Sequence, residues 1–394
     1  MLHWILTLLI GFLLIPSLYL AWRFHGIWKK SWIAYVCFPA PSILLLVMGF
    51  LLDANRTYSS SEYNIAGTYI LTILTFALVQ FLFALFCLIG NPFQKRFPKA
   101  EKCIRWTGLG LCFLIAAATI FANQWGIYHL RTTHDDIVLE DLPPSFDGYK
   151  MVLFTDFHLG TYGTDTAFPH KVINTLLAEK PDLIAFGGDL VNYDTNEVLP
   201  FLSELKRLKA PDEIVAIMGN HDYQINRHWN SPLAQRNSVL KLQNLIRMSG
   251  WNLLLNSAYI INKGNDSIAI VGVENDGNPP FPELGDLPKS LRSVPDSLHG
   301  RPFLKILLSH DPTHWRRKVL PQTDIQLTLS GHTHASQFQI GGFSPSSWVY
   351  REWGGWYHEN NRHLFVSKGL GEAFLNARIG AWPEINVITL HCKK

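Results

Sequence analysis

Charged residues are scarce in this chain of 394 residues, because Asp, Glu, Lys and Arg make up only 16 % of it. Soluble domains usually contain about a quarter. Cysteine is scarce as well, and four of the five cysteines lie in the first third of the chain, which excludes a disulfide scaffold. Since 48 % of the residues are apolar, the chain can bury a large core and is not a disordered or low-complexity protein. The low charge also argues against a purely soluble protein.

Positive and negative charges are divided unevenly along the chain. Up to Leu130 there are nine Lys and Arg against three Asp and Glu, so this part carries +6 and the remainder −3. A mildly acidic main body offers no polyanion-binding surface. Nucleic acid is therefore not expected as a partner.

The first third of the chain contains four long runs without any charged residue. Each has close to the twenty or so apolar residues that a helix needs to cross a hydrocarbon core of about 30 Å. Buried helices of a soluble bundle would show polar faces, and these runs show almost none. We therefore predict four transmembrane α-helices within residues 1–127, in contact with a lipid bilayer, and no cleavable signal peptide. The runs are Trp4 to Trp22, Ser31 to Leu52, Gly67 to Gly90 and Trp106 to Trp125.

The loops between these runs predict an orientation. Three basic residues follow the first run and five follow the third, whereas the loop after the second has only Arg56 beside Asp53 and Glu62. Because excess Lys and Arg stays on the cytoplasmic side, the first and third loops are predicted to be inside. We accordingly expect a multi-pass protein of the cell or inner membrane, with everything after Gln124 extracytoplasmic.

The rest of the chain has the pattern of one α/β domain. A short tether, Tyr128 to Asp147, gives a predicted linker over 128–148, and residues 149–394 form the predicted domain. Apolar strand patterns first alternate with helical ones, and from Tyr259 onward strand patterns dominate. This order predicts a layered α/β sandwich.

Residues of the kind that bind metals come directly after five predicted strands. Ligands bind at the carboxyl ends of strands in open α/β sheets, so we expect these blocks to meet. Each block alone is weak, because a single Asp-x-His is usually a surface pair and Gly-Asp is an ordinary turn. The blocks contain Asp156 and His158, then Asp189, then Asn220, His221 and Asp222, then His310, and finally His332 and His334.

Apart from His221 and Asp222, the blocks supply four histidines, two aspartates and an asparagine, which is a ligand count for two ions. Mixed imidazole and carboxylate donors suit Mn²⁺, Fe²⁺ or Zn²⁺ better than Ca²⁺. The lack of thiolates in the set argues against a structural zinc site. Two divalent metal ions are therefore the predicted cofactors.

The five-block order resembles the calcineurin-like metallophosphoesterase superfamily over roughly Tyr149 to Leu390. The run from Leu364 to Gly371, with Arg378 further on, is similar to the membrane-associated bacterial branch. The resemblance implies a four-layer αββα sandwich, two β-sheets flanked by helices, preceded here by the four transmembrane helices. It also implies a dimetal phosphohydrolase that cleaves a phosphate ester by attack of a metal-bridging hydroxide.

The resemblance also implies a role for each site residue. One ion would be held by Asp156, His158 and His334, the other by Asn220, His310 and His332, with Asp189 bridging the two. His221 would contact the phosphate and assist the leaving group, with Asp222 orienting it. The chain departs from the branch at Ala335-Ser336-Gln337, where Gly-Gly-Gln is frequent, which puts the substrate specificity in question but not metal binding.

The substrate class stays open at this point. Four spans on a hydrolase favour a small amphiphilic phosphate ester held by its lipid tails. The aromatic stretch from Trp348 to Tyr357, with Trp353 and Trp356, either lies at a membrane interface or packs the end of the sandwich. A UDP-diacylglucosamine-type lipid pyrophosphatase is an alternative, but its substrate is cytoplasmic. A non-catalytic membrane sensor that retains the fold is a further alternative, although none of the expected metal-binding residues is missing from the sequence.

Overall fold

The structure, a computed structural model, describes residues 2–27, 30–54, 60–295, 304–373 and 375–393. It divides into two compact units. The N-terminal unit runs through Trp125 and includes Leu375–Ala377, and the C-terminal unit begins at Gly126.

Long apolar helices form the N-terminal unit. Among the described residues, four segments are long and apolar enough to cross a membrane: Leu6–Ile27, Trp32–Leu51, Ile65–Phe93 and Pro98–Tyr128. These segments overlap the four predicted runs. The helices themselves are α1 (Leu2–Phe24), α2 (Trp32–Cys37), α3 (Pro39–Ala54), α4 (Ser60–Gly90) and α5 (Pro98–Gln124).

The second predicted run is divided into α2 and α3 rather than forming one helix. The break falls at Phe38, directly before Pro39. Proline has no backbone N–H and its ring clashes with the carbonyl of the preceding turn, so a helix interior cannot pass through it unchanged.

The C-terminal unit contains strands and shorter helices in alternation. The helices are α6 (Ala167–Ala178), α7 (Leu202–Leu205), α8 (Pro232–Met248), α9 (Leu287–Arg292) and α10 (Leu320–Gln322). The first six strands are β1 (Arg131–Leu139), β2 (Tyr149–Phe154), β3 (Leu183–Phe186), β4 (Glu213–Ala216), β5 (Asn252–Leu253) and β6 (Ser257–Lys263). The others are β7 (Asp266–Gly272), β8 (Leu304–Leu308), β9 (Leu327–Ser330), β10 (Gly355–Glu359), β11 (Arg362–Val366) and β12 (Glu384–Cys392).

Over the described residues these strands form two six-stranded mixed sheets. The first has the order β1-β12-β2-β3-β4-β5, and the second β10-β11-β9-β8-β7-β6. Strands β2, β3 and β4 are parallel, as are β7, β8 and β9. Their carboxyl ends therefore lie at one edge of each sheet.

Alternating side chains divide the interior into three apolar layers. On β2, Val152 and Phe154 face α6 and α8, while Met151 and Leu153 face the second sheet. A third cluster packs the outer face of the second sheet against α9. This period-two alternation produces the predicted α/β sandwich, with helices outside two facing sheets.

The segment expected to be a tether contains a strand. Arg131–Leu139 forms β1, which pairs in parallel with β12 at the edge of the first sheet. Its first six residues are polar, and only Ile137 and Leu139 at its end are buried, so no long apolar run marks it as a strand. Its conformation depends on pairing with β12, which lies more than 250 positions later in the register Arg131 to Glu384.

Candidate metal centre

Six of the seven residues expected to bind metal form overlapping groups in which every candidate ligand atom lies within 4.8 Å of the others. Asp189 belongs to two of the groups and connects them. His221 joins one group as an additional histidine. The groups are Asp156, His158 and His334; His158, Asp189 and His221; and Asp189, His310 and His332.

The first group lies where β2 ends. His334 Nε2 is 3.1 Å from His158 Nε2 and 3.3 Å from Asp156 Oδ1. Ligand atoms about 2.1 Å from one cation, at right angles, are about 3 Å apart. The three side chains therefore have the spacing of donors to a single ion.

The second group lies between the ends of β3, β4, β8 and β9. His310 Nε2 is 3.1 Å from Asp189 Oδ2, and His332 Nδ1 is 2.8 Å from Asn220 Oδ1. Asn220 thus joins the group through its amide oxygen. His310 Nε2 is buried beside the Asp189 carboxylate, and a cation between these two atoms would satisfy both.

Asp189 links the two groups. Its Oδ2 atom is 3.1 Å from His310 Nε2 and 3.6 Å from His158 Nε2. A carboxylate has two oxygens and can contact two cations, whereas each imidazole nitrogen has one lone pair. The Asp189 carboxylate thus lies within reach of candidate ligands from both groups.

The backbone at the site is strained. Five candidate ligands have a positive φ, between 46° and 74°: Asp156, His158, Asp189, His332 and His334. A residue with a Cβ pays about 1–2 kcal/mol to adopt this left-handed region. Such conformations occur where surrounding contacts enforce them, which is frequent at functional sites.

Two glycines allow the strained turns to approach the carboxylates. A Cβ on Gly331 would lie 2.3 Å from Asp156 Oδ2, and one on Gly219 would lie 2.3 Å from Asp189 Oδ1. Any larger residue at these positions would have to displace a candidate ligand. The glycines that precede His332 and Asn220 in the sequence are thus part of the site.

Burial determines the charge of most histidines in the site. It lowers the pKa of three imidazoles and so favours their neutral form, which can bind a cation. These are His158, His332 and His334. For His310 burial lowers the pKa, but the Asp189 carboxylate raises it more strongly, to about 10.

The two carboxyl groups at the centre remain ionised. Burial alone would raise the pKa of Asp156 and Asp189, but neighbouring imidazoles lower it, chiefly His334 for Asp156 and His310 for Asp189. A buried pair of negative charges is unfavourable without a positive partner. The site is therefore electrostatically suited to cations.

His221 is oriented by a backbone carbonyl. Its Nδ1 atom is 2.7 Å from the carbonyl oxygen of Asn192, so Nδ1–H donates and Nε2 carries the free position. The imidazole is half-buried and stands edge-on to His158, with ring centroids 4.7 Å apart. Asn192 was not among the residues singled out from the sequence, because a carbonyl contact leaves no side-chain signal.

Asp222 does not orient His221, which corrects the expectation. Its carboxylate accepts backbone N–H bonds from Asp189 at 2.9 Å, Leu190 at 2.8 Å and Gly219 at 3.0 Å. Burial and the Asp189 charge raise its pKa, and these donors oppose the rise. Asp222 instead joins the loops that follow β3 and β4.

Arg378 is a site residue whose contact the sequence did not predict. The side chain is fully buried, and Nη2 donates to His334 Nδ1 at 3.0 Å while Nη1 donates to the carbonyl of Ala381 at 2.7 Å. The contact fixes the His334 ring with Nε2 toward Asp156. In the sequence, Arg378 was indicated only by its position shortly after the run Leu364 to Gly371, which carries part of the resemblance.

A pocket of about 170 Å³ opens over the cluster. Its lining combines polar site residues with apolar side chains, which we call the apolar rim. The site residues are Asp189, Asn220, His221, His332 and His334, and the apolar rim contains Phe281, Val349 and Tyr350.

The aromatic stretch near the pocket is divided between two environments. Trp356 packs on the apolar layer between the sheets and against Phe365, with ring centroids 4.9 Å apart. Trp348 and Val349 are each 77 % exposed. Core packing therefore accounts for Trp356 but not for Trp348.

Comparison with known proteins places this site in a family. Residues 149–336 match the family model of calcineurin-like phosphoesterases. The uncharacterized metallophosphoesterase YkuE of Bacillus subtilis is 33 % identical over 285 residues, which cover 68 % of this chain and 88 % of that protein.

Two further relatives extend the comparison. A transmembrane protein with metallophosphoesterase domain from Bos taurus is 27 % identical over 65 % of this chain, and the match spans 56 % of the bovine protein. The phosphodiesterase YaeI of Escherichia coli is 25 % identical over 61 % of this chain and 82 % of its own. The long apolar helices and the bovine relative indicate a membrane protein. The chain belongs to the calcineurin-like phosphoesterase family of phosphoric ester hydrolases.

Proposed function

We propose that this protein is a membrane-anchored hydrolase that uses two divalent cations to cleave a phosphate ester. The observation that carries the proposal is the convergence of three overlapping ligand groups, of which His158 joins the first two and Asp189 the last two. Mixed imidazole and carboxylate donors favour Mn²⁺, Fe²⁺ or Zn²⁺. When bound, such a pair lowers the pKa of water and neutralises the phosphoryl oxygens.

The candidate ligands divide between the two positions by their contacts. Asp156, His158 and His334 hold one cation, and Asp189 is shared. Asn220, His310 and His332 hold the other. The 2.8 Å approach of Asn220 Oδ1 and His332 Nδ1 supports this division, because both atoms offer a lone pair to a common partner.

His221 is the proposed catalytic residue. The Asn192 carbonyl accepts its Nδ1–H, so Nε2 is the atom that can hold a proton toward the pocket. From there it would stabilise or protonate the departing oxygen of the ester. Positioned proton transfer of this kind contributes about 10²–10⁴-fold to rate.

The test is metal content and turnover of purified protein in detergent. The protein is stripped with a chelator, reloaded with Mn²⁺ and assayed with a soluble aryl phosphate. Asp189→Ala and His332→Ala are expected to abolish activity and to lower the metal content. His134→Ala, an exposed histidine on β1 paired with Glu179, is the matched control and should behave like wild type.

Full activity of Asp189→Ala would eliminate the two-cation arrangement. Metal binding by the wild-type protein without turnover of any ester would favour the sensor alternative. Turnover by wild type and loss in Asp189→Ala would exclude it.

An apolar rim supports an amphiphilic substrate. Residues 337–350 contain no charged side chain, and Ile340, Phe343, Trp348 and Val349 are large apolar residues exposed on this loop. Val349 also lines the pocket, so an apolar chain could continue from a phosphate in the pocket onto the loop. Apolar rims of this kind mark ligand or membrane contacts.

The rim is tested with matched substrates. The double variant Trp348→Ala with Val349→Ala should lose activity on a phospholipid phosphate in mixed micelles and keep it on a soluble ester. Leu240→Ala, an exposed leucine on α8, is the control. Equal loss on both substrates, or no loss on either, would contradict an amphiphilic substrate.

We also propose a multi-pass protein whose C-terminal unit is extracytoplasmic. The basic residues of the loops after the first and third spans support this orientation. A reporter fused after the last residue distinguishes the sides: activity of an external reporter such as alkaline phosphatase is expected. Activity of a cytoplasmic reporter instead would bring back the UDP-diacylglucosamine-type pyrophosphatase, whose substrate can then be assayed directly.

A further inference from the structure

His332 has a different partner on each side of its ring. Nδ1 is 2.8 Å from Asn220 Oδ1, whereas Nε2 is 2.9 Å from Tyr350 Oη and 3.6 Å from Asp311 Oδ2. One nitrogen thus faces the proposed cation position and the other faces away from it. A neutral imidazole carries its proton on one nitrogen only, so the outer partners decide which nitrogen keeps a lone pair.

Asp311 lies where it can determine which nitrogen of His332 carries the proton. Its side chain is only 1 % exposed, and Oδ1 accepts from Thr313 N at 2.8 Å and Thr313 Oγ1 at 2.6 Å. Oδ2 has no hydrogen-bond partner in the part of the chain that the structure describes. This free oxygen lies on the Nε2 side of His332, and an acceptor there favours a proton on Nε2.

Tyr350 and Phe281 hold the plane of the ring. Phe281 stands edge-on to His332 with centroids 4.7 Å apart, and Tyr350 does so at 5.5 Å. With Nε2–H donating to Tyr350 Oη, the hydroxyl hydrogen of Tyr350 stays free to point elsewhere. Turning the ring would therefore break its contacts with both aromatic side chains.

We propose that Asp311 and Tyr350 are positioning residues, which keep the proton of His332 on Nε2 and direct its Nδ1 lone pair at the cation shared with Asn220. This rests on the proposed function in so far as His332 holds a cation. Outer partners of metal-binding histidines fix the tautomer and ring orientation, and their loss costs about 10–100-fold in metal affinity. The two residues act on one cation position and leave the other unchanged.

The test is metal binding by Asp311→Asn and Tyr350→Phe. Each variant keeps the shape of the side chain: Asp311→Asn removes the negative charge and one acceptor oxygen, and Tyr350→Phe removes the hydroxyl group. The full-length protein in detergent is stripped of metal and titrated with Co²⁺ by calorimetry, and the visible Co²⁺ spectrum is recorded. Asp324→Asn, an exposed aspartate paired with Lys305, is the matched control.

Asp311→Asn is expected to weaken one of two binding events by about 10–100-fold and to change the Co²⁺ spectrum. Tyr350→Phe is expected to do the same more weakly, because it removes a neutral partner. Asp324→Asn should match wild type in both measurements. If Asp311→Asn does not fold, Tyr350→Phe decides the question alone.

Wild-type affinity at both positions and an unchanged spectrum in the variants would overturn the positioning role. If wild type binds two ions and turns over no ester, the proposed function fails while a shift in the variants still supports positioning. If wild type turns over ester and the variants bind like wild type, positioning alone fails. A wild-type protein that takes up no Co²⁺ would overturn both.

Discussion

The two units of this chain differ in how many large apolar side chains they expose, although both also bury some. In the N-terminal unit Phe113 is 77 % exposed and Leu8 73 %. In the C-terminal unit Phe154 and Phe186 are fully buried between a sheet and its helices. Exposed large apolar side chains are thus frequent in the N-terminal unit, which also buries some such as Leu6 and Leu13, and sparse in the C-terminal unit.

The difference shows which surroundings each unit requires. Helices with apolar outer faces are stable where the surroundings are apolar as well, because the helix satisfies its own backbone hydrogen bonds. The C-terminal unit instead buries its apolar surface and places ionised groups inside, at Asp156 and Asp189. Those buried charges are unfavourable unless something positive accompanies them.

We expect catalysis to depend on residues of the C-terminal unit. Among the variants considered, His221→Ala should have the largest effect. We expect kcat to fall by about 10²–10⁴-fold, with both cations retained, because His221 lies outside the proposed ligand set. The measurement is kcat on a soluble aryl phosphate together with metal content by mass spectrometry. Loss of metal in parallel with kcat would make His221 a ligand instead.

Two phenylalanines, one in each unit, test the difference in burial between the units. Phe154→Ala empties a fully packed site in the C-terminal unit and should cost about 3–5 kcal/mol in free energy of unfolding. Phe113→Ala removes an outward ring and should change stability by less than about 0.5 kcal/mol. Denaturant unfolding in detergent compares the two. Similar losses would mean that Phe113 is packed against protein.

A charge introduced on the outer surface of each unit tests the surroundings directly. Leu114→Arg should raise the free energy of membrane insertion by about 2.5–3.5 kcal/mol, measured with a glycosylation reporter in microsomes. Leu240→Arg, on the exposed face of α8, should change the stability of the C-terminal unit by less than about 0.5 kcal/mol. Unimpaired insertion of Leu114→Arg would argue against a lipid-facing position.

The smallest expected effect concerns a glycine at the site. Gly331→Ala places a methyl group against Asp156. The overpacking should lower the free energy of unfolding by about 1–3 kcal/mol, and the measurement is the metal affinity, which should weaken. Gly342→Ala is the control, because nothing lies within 4 Å of its added Cβ. Equal metal affinity in the two variants would show that Asp156 tolerates displacement.

The site blocks could be predicted from the sequence because each follows an apolar strand. Parallel strands such as β2, β3 and β4 end at one sheet edge, so Asp156, Asp189 and Asn220 had to approach one another. The same reasoning finds most strands of the C-terminal unit. It does not find β1, whose polar residues adopt a strand through pairing with β12.

Contacts that depend on backbone groups could not be predicted from the sequence. Asp222 was expected beside His221, yet it binds the amides of Asp189 and Gly219, which meet only once β3 and β4 are aligned. The carbonyl of Asn192 takes the place expected for Asp222. The orientation of Arg378 toward His334 likewise depends on the C-terminal loop folding back on the site.

The proposed function requires that seven side chains hold a pair of divalent cations with Asp189 between them. Anomalous diffraction at the Mn absorption edge, from crystals of the reloaded protein, would locate these cations. We expect two peaks about 3.5–4 Å apart, on either side of Asp189, and the peak further from Asp156 should be weaker in Asp311→Asn. A single peak, or two peaks that persist in Asp189→Ala, would contradict this arrangement.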